Sequence, residues 1–335
     1  MKVPIIFNSE AANVLQHRGR EVREFYDEEI INWIKKGLQN IGHEVEVIEG
    51  DGHLYENLCR FFGDELGKSW PGIALNMAYG VQGRVRYTHV PGLLEMLGIP
   101  YIGSSPLGHA LCADKATTKI ILSHFSLPTS PFALLRSADD PLPDFEFPVV
   151  VKPKAESTSL GIHLVKSREE LRKAVEEVIN RFSQPVLIEK FLPGREVNVS
   201  FIGNDPRLAM QPMEVKLAES SEEMYTQADK THEHQIKVDA ADLPEAQVKK
   251  IRHISKKALD ALECLDWARI DFRADEEGNF QILEINSMPH LSPDSSMYRA
   301  CTLQGWDLEE LLRQIIKAAE IRYASQGERK AKRKA

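Results

Sequence analysis

Short apolar runs alternate with helix-period segments over the first hundred residues, and this alternation is the strongest constraint on how the chain folds. Residues 3–7 are apolar, and Val22, Phe25, Tyr26, Ile30, Trp33, Ile34, Leu38 and Ile41 then recur at steps of three and four. Residues 45–48 are strand-like again, followed by a strand near 73–77, a helix around 90–97 and a strand at Tyr101. Strands separated by helical crossovers run parallel, so an open α/β sheet is expected here.

From Phe147 the pattern changes. A strand at 148–152, a polar loop at 154–161 and a strand at 162–165 lead into a helix opened by the capping box Ser167-Arg168-Glu169-Glu170. Its apolar face is Leu171, Ala174, Val175, Val178, Ile179 and Phe182. Strands at 186–190 and 196–202, an irregular polar stretch at 218–235, a helix at 244–262 and two further strands follow. A last helix starts at the Asp307-x-x-Glu310 box. Antiparallel strands with few crossovers predict an α+β unit, and the proline-rich stretches 127–131 and 139–143 mark the change. The expected division is 1–101 for the α/β lobe, 102–185 for a central lobe, 186–327 for a C-terminal lobe and 328–335 for a basic tail that reads as a frayed, solvated end.

Charge and cysteine usage narrow the function classes. The chain carries a formal −8, and its last eight residues hold five basic groups and one acidic one, so the body is more acidic still. Such a body is a poor nucleic-acid surface. Four scattered cysteines without a Cys-x-x-Cys pair read as reduced core residues of a cytoplasmic protein. No run approaches the roughly 18 apolar residues of a membrane helix.

The segment most informative about chemistry runs from Ala268 to Asn286. Read as a hairpin with a four-residue turn at 276–279, it pairs 275 with 280, 273 with 282, 271 with 284 and 269 with 286. Side chains two apart on a strand share a face, so Arg269, Asp271, Glu284 and Asn286 project together. Two facing carboxylates call for a cation between them, and hard oxygen donors suit Mg²⁺ held jointly with phosphates; a solvated face carrying an Arg-Asp pair is the plainer alternative. Lys115 and Lys152 sit at strand-associated positions where an anion would satisfy them, although either is an ordinary structural lysine taken singly. The loop 156–161 offers backbone N–H groups and hydroxyls to phosphate, or is simply a hairpin connection. Two motifs are set aside: Gly63 to Ser69 lacks one residue of a P-loop, and His232-x-His234 lacks further metal ligands. A dinucleotide fingerprint and a Gly-x-Ser-x-Gly elbow are both absent.

Residues 92–119, Val151-Lys152-Pro153, Ile188 to Leu192, Arg269 to Phe272 and Leu283 to Pro289, in this order and spacing, resemble the D-alanine–D-alanine ligases of the ATP-grasp superfamily. The resemblance spans about residues 70–316. It implies a three-lobed ATP-grasp architecture with an N-terminal open α/β lobe, and ATP-dependent carboxylate–amine ligation through an acyl phosphate. It implies ATP and two Mg²⁺ ions, with Mn²⁺ as an alternative, and small-molecule substrates; it leaves a homodimer open. By position, Lys115, Lys152 and Lys230 would hold phosphates, Glu189 and Leu192 would line the adenine pocket, and Glu196 would reach the ribose. Asp271, Glu284 and Asn286 would ligate metal, with Arg269 at the acyl-phosphate centre. Ser295 and Ser296 fall where the second substrate's carboxylate is gripped.

Departures from the family cluster at substrate positions. Residues 79–87 replace its His-Gly and Gly-Glu-Asp-Gly segment, bringing Tyr79 to the substrate side. The first-loop glutamate has Glu21 as its nearest match, the substrate-side Ser becomes Thr158, the Tyr becomes Thr231, and the Gly after Asn-x-x-Pro becomes His290. These changes leave open a ligase using a carbonyl acceptor, as in mycosporine-type imine formation, and a nucleotide binder without catalysis.

Overall fold

The apolar runs at the start of the chain become parallel strands of one sheet in the computed structural model, which describes residues 1–9, 24–68, 70–157, 159–217 and 236–334. Strands β1 (Lys2–Phe7), β2 (Glu44–Glu49), β3 (Ala74–Asn76) and β4 (Tyr101–Ile102) lie in the order β2-β1-β3-β4. One face buries Val3, Ile5 and Leu75 against Ile31, Ile34 and Leu38 of the helix Glu28–Asn40 and against Leu311, Leu312 and Ile315 of the last helix. The other face buries Ile6, Ile48 and Ala74 under Leu54, Leu58 and Leu94. Burial on both faces explains why the central strands β1 and β3 read as apolar runs, whereas the edge strand β2 alternates glutamate with valine.

Antiparallel pairing governs the rest. Strands β5 (Phe132–Leu135), β6 (Val149–Pro153), β7 (His163–Val165) and β8 (Val186–Lys190) form a sheet in the order β5-β8-β6-β7. The helix Arg168–Phe182 covers it with Leu171, Ala174, Val175, Val178 and Phe182. The Ser167 Oγ caps that helix by accepting from the Glu170 N–H at 3.2 Å. The boundary expected at 185 therefore falls one strand early, because β8 hydrogen-bonds to β5 and β6. The expected start of this lobe at 102 is also early. Cys112, Leu122 and Leu127, in and after the helices Pro106–Ala113 and Lys115–His124, pack with Val197, Phe201, Ile254 and Ala258 in the C-terminal core.

That third lobe is built on β9 (Glu196–Ile202), β10 (Leu208–Ala209), β11 (Met213–Leu217), β12 (Ile236–Ala240), β13 (Trp267–Ala274) and β14 (Phe280–Asn286), ordered β12-β11-β9-β13-β14 with β10 beside β9. The expected pairs 269 with 286 and 271 with 284 are present, but a bulge between Asp271 and Phe272 shifts the remainder to 272 with 282, 273 with 281 and 274 with 280. The turn is consequently longer than four residues. The Asp275 carboxylate accepts from the Asn279 and Glu277 N–H groups at 2.8 and 3.1 Å, and Gly278 adopts φ +81°, a conformation that favours glycine.

The last helix, Leu308–Lys334, starts where Asp307 Oδ1 accepts from the Glu310 N–H at 2.8 Å. Its backbone continues through residues expected to fray. All four cysteines are free, and Cys112, Cys264 and Cys301 are buried. No described helix is long and apolar enough to cross a membrane.

Candidate active site

The three sheets meet around a cavity of about 420 Å³. Its C-terminal wall is the β13–β14 face. Strand alternation sets Arg269 and Asp271 side by side, and the bulge lies beyond them, so Glu284 and Asn286 stay opposite. Arg269 forks onto Asp271 through Nε and Nη2 at 2.7 and 2.8 Å, and the Asn286 amide donates to the same carboxylate at 2.9 Å. Burial opposes the Arg269 charge, but Asp271 and the nearby Glu284 outweigh it and hold the guanidinium firmly protonated.

Lys115, expected beside a strand, instead opens the helix Lys115–His124, because the N-cap Asp114 accepts from the Thr117 N–H at 2.9 Å. That start aims the lysine at Glu284 Oε1 and at the Glu156 carbonyl, both at 2.7 Å. Burial pushes the Glu284 carboxyl up, yet Lys115, then Lys152 and Arg269, bring it below its ordinary range. Lys152, from β6, pairs with the Glu189 carboxylate of β8. Burial would raise Glu189, but Lys119 and Lys152 hold it at about 2.

The donor set can be tested against a metal. Asp271, Glu284 and Asn286 offer two carboxylates and an amide oxygen, and the Asn286 N–H donating to Asp271 turns its oxygen elsewhere. Among the described residues no cluster of three or more His, Cys, Asp or Glu forms a self-sufficient metal cage. This hard, oxygen-only and incomplete set suits Mg²⁺, which keeps waters and takes phosphate oxygens as further ligands.

At another part of the cavity, Glu196 faces Arg273 at 3.7 Å, and the Arg273 guanidinium lies 5.1 Å from the centre of the Phe191 ring. Burial lifts Glu196 to about 7, with Arg273 opposing. Leu192 also lines this space.

The N-terminal wall is aromatic. Tyr26 stacks on Tyr79 at 5.3 Å and on His290 at 4.5 Å, and the Tyr79 hydroxyl lies 3.1 Å from His290 Nδ1. The Tyr26 hydroxyl accepts from the Leu291 N–H at 3.2 Å, and burial pushes its pKa up to about 12. Gly80, at φ +81°, lets the chain turn tightly against the Arg86 carbonyl; a Cβ there would lie 2.4 Å from that oxygen. Beside the aromatic wall, Glu24 pairs with Arg86, receives the Ser157 hydroxyl, and accepts from the Tyr87 hydroxyl at 3.1 Å on each oxygen.

Most expected site residues share this one cavity: Tyr79, Lys115, Lys152, Glu189, Leu192, Glu196, Arg269, Asp271, Glu284, Asn286, His290 and Ser296 all line it. Ser295 does not. Its hydroxyl caps the helix Ser296–Thr302, accepting from the Tyr298 N–H at 3.3 Å and donating to the Ser292 carbonyl at 2.8 Å. Thr158, Lys230, Thr231 and Glu21 lie outside the described residues. Among the described residues, the first-loop acid that reaches the cavity is Glu24, three positions beyond Glu21 in sequence, and it receives the hydroxyl of Ser157. Sequence reasoning missed Glu24, Lys119 and Arg273. Arg273 alone carried a signal, since it continues the alternation of Arg269 and Asp271.

The family model for the C-terminus of D-ala D-ala ligase matches residues 121–317. The chain belongs to the D-alanine–D-alanine ligase family. It is an ATP-grasp ligase by that membership. It is similar to the D-alanine–D-alanine ligase of Geobacter sulfurreducens, 30% identical over 298 residues, covering 88% of this chain and 89% of that one. It is also similar to the uncharacterized protein y4sG of Sinorhizobium fredii, 34% identical over 340 residues, covering 98% and 99%. Its fold is shared with the Bacillus anthracis D-alanine–D-alanine ligase complexed with ATP, at a TM-score of 0.75 and 21% identity over 97% of this chain and 99% of that one. The Coxiella burnetii ligase gives 0.74 at 22% identity, covering 100% and 99%.

Proposed function

We propose that the cavity binds ATP with Mg²⁺ and joins a carboxylate to an amine, releasing ADP and phosphate. The observation that carries this reading is the placement of Arg269, Asp271, Glu284 and Asn286 on one face with Lys115 and Lys152 around the same cavity. A carboxylate oxygen of the first substrate would attack the γ-phosphorus as ADP departs; an amine would then attack the acyl carbon, and phosphate would leave with that oxygen. The electrostatic problem is repulsion between the carboxylate and the triphosphate. Lys115 and Lys152 would exchange Glu284 and Glu189 for phosphate oxygens, and Arg269 would hold positive charge at the transferring group. Asp271, Glu284 and Asn286 would hold Mg²⁺, which supplies further neutralisation when bound. Glu196 and Leu192 would line the nucleoside end.

The first substrate is proposed to differ from D-alanine. Its side of the cavity carries Tyr79 and His290, both stacked on Tyr26, and the first-loop carboxylate that lines the cavity among the described residues, Glu24, is already matched by Arg86. A carboxylate so neutralised has little attraction for an ammonium group. A carboxylate or carbonyl donor without a free α-amino group, combined with an amino-acid nucleophile, fits that wall.

A phosphate-release screen over paired D and L amino acids, hydroxy acids and keto acids, with mass analysis of products, tests both parts. Lack of nucleotide binding and of any substrate-stimulated phosphate release would rule out the ligase reading.

A further inference from the structure

Lys119 is buried to 1% exposure, does not line the cavity, and has no part in the chemistry above. An ammonium carries three protons, and three acceptors surround this one: Glu189 Oε1 at 2.5 Å, Thr129 Oγ1 at 2.7 Å and Ser130 Oγ at 3.0 Å. The hydroxyl protons are committed elsewhere, with Thr129 donating to the Ile282 carbonyl at 3.0 Å and Ser130 to Glu189 at 3.3 Å. Every donor in this knot therefore has one direction. A buried lysine is costly where an apolar side chain would fill the same space, so its presence calls for a task.

The task follows from what stands on the other side of Glu189. Oε1 faces Lys119, while Oε2 faces Lys152, which does line the cavity. Lys119 lies one helical turn after Lys115 on the helix Lys115–His124, so a single helix brings one cation to Glu284 and another to Glu189. With one lysine alone, Glu189 and Lys152 would form a closed buried pair that an arriving phosphate must break, stranding a carboxylate. With two, the charge of Glu189 stays matched when Lys152 turns away.

We infer that Lys119 is a positioning residue for nucleotide binding: it holds Glu189 from behind, so that Lys152 is free to engage a phosphate. This rests on the ATP reading of the cavity. The opposed pulls on Glu189 agree with it, since the two lysines together overcome burial and keep that carboxylate ionised.

The test is a set of calorimetric titrations of the full-length protein with Mg²⁺ and a non-hydrolysable ATP analogue. Lys119→Met is expected to weaken binding about tenfold in the native background, and less than about threefold when Glu189→Gln is already present, because a neutral amide does not retain Lys152. Equal weakening in both backgrounds would mean that Lys119 only supports the fold, and unchanged binding in Lys119→Met would mean that it does nothing for the nucleotide; either overturns the inference. Wild-type protein that binds no analogue would instead overturn the ATP reading. Thermal melting checks each variant, and Lys119→Gln, which keeps donors for the two hydroxyls, is read by the same criteria if the methionine variant does not fold.

Discussion

Lys115 and Glu284 stand 169 residues apart in the chain and 2.7 Å apart in space. This contact ties the first turn of a helix to the hairpin face that carries Asp271 and Asn286. Glu284→Gln keeps the shape and an acceptor for Lys115 but removes a charge from the proposed metal set. Mg²⁺-dependent turnover should be lost, with a stability change on the order of 1 kcal/mol, read by phosphate release and by melting. Wild-type turnover in that variant would remove Glu284 from the metal site.

Affinity and chemistry should separate between two other cations. Lys152→Ala would remove the proposed charge-assisted phosphate contact, worth about 1.5 to 3 kcal/mol, so ATP binding should weaken roughly ten- to a hundredfold. Arg269→Ala should depress kcat more than nucleotide affinity, since its charge is assigned to the transferring group. Titration with nucleotide beside steady-state kinetics checks the division, and equal losses of affinity without a separate loss of kcat would contradict it.

His109 predicts the acid side of the stability profile. It is fully buried with Nδ1 2.8 Å from Ser287 Oγ, and burial lowers its pKa from 6.5 to about 4. Below pH 6.5 the unfolded chain takes up a proton that the folded one refuses, so stability falls as pH drops toward 4, by roughly 3 kcal/mol from this group. His109→Gln should flatten that part of the profile in denaturant titrations between pH 7 and pH 4; an unchanged slope would show that His109 is not its source.

D-alanine alone should be a poor substrate pair. Arg86→Ala leaves Glu24 without its cation and should improve the response to a first substrate bearing an ammonium group relative to one without it. Efficient formation of D-alanyl-D-alanine at sub-millimolar D-alanine by the wild type would return the protein to its family's usual substrates.

Strand periodicity explains why so much of the site was legible. Arg269, Asp271, Glu284 and Asn286 needed only alternation and one turn to be placed on a shared face, and a bulge beyond them altered the register without separating them. Helix caps were equally local: Ser167 and Asp307 accept from N–H groups three residues on. Ser295 is the instructive exception, since its hydroxyl serves a cap and its neighbour Ser296 meets the cavity.

What the chain determines by itself is set by near neighbours: parallel strands from helical crossovers, the hairpin face from period two, and helix starts from their caps; of the four cysteines expected in the core, Cys59 is only half-buried. Which sheet β8 joins, that Glu24 meets Arg86 and Ser157, and that Lys119 stands behind Glu189 were decided only by tertiary packing. The physical reason is that a buried charge must find its counter-charge wherever the fold delivers one, and contacts across 62, 133 or more residues leave no periodic trace in sequence.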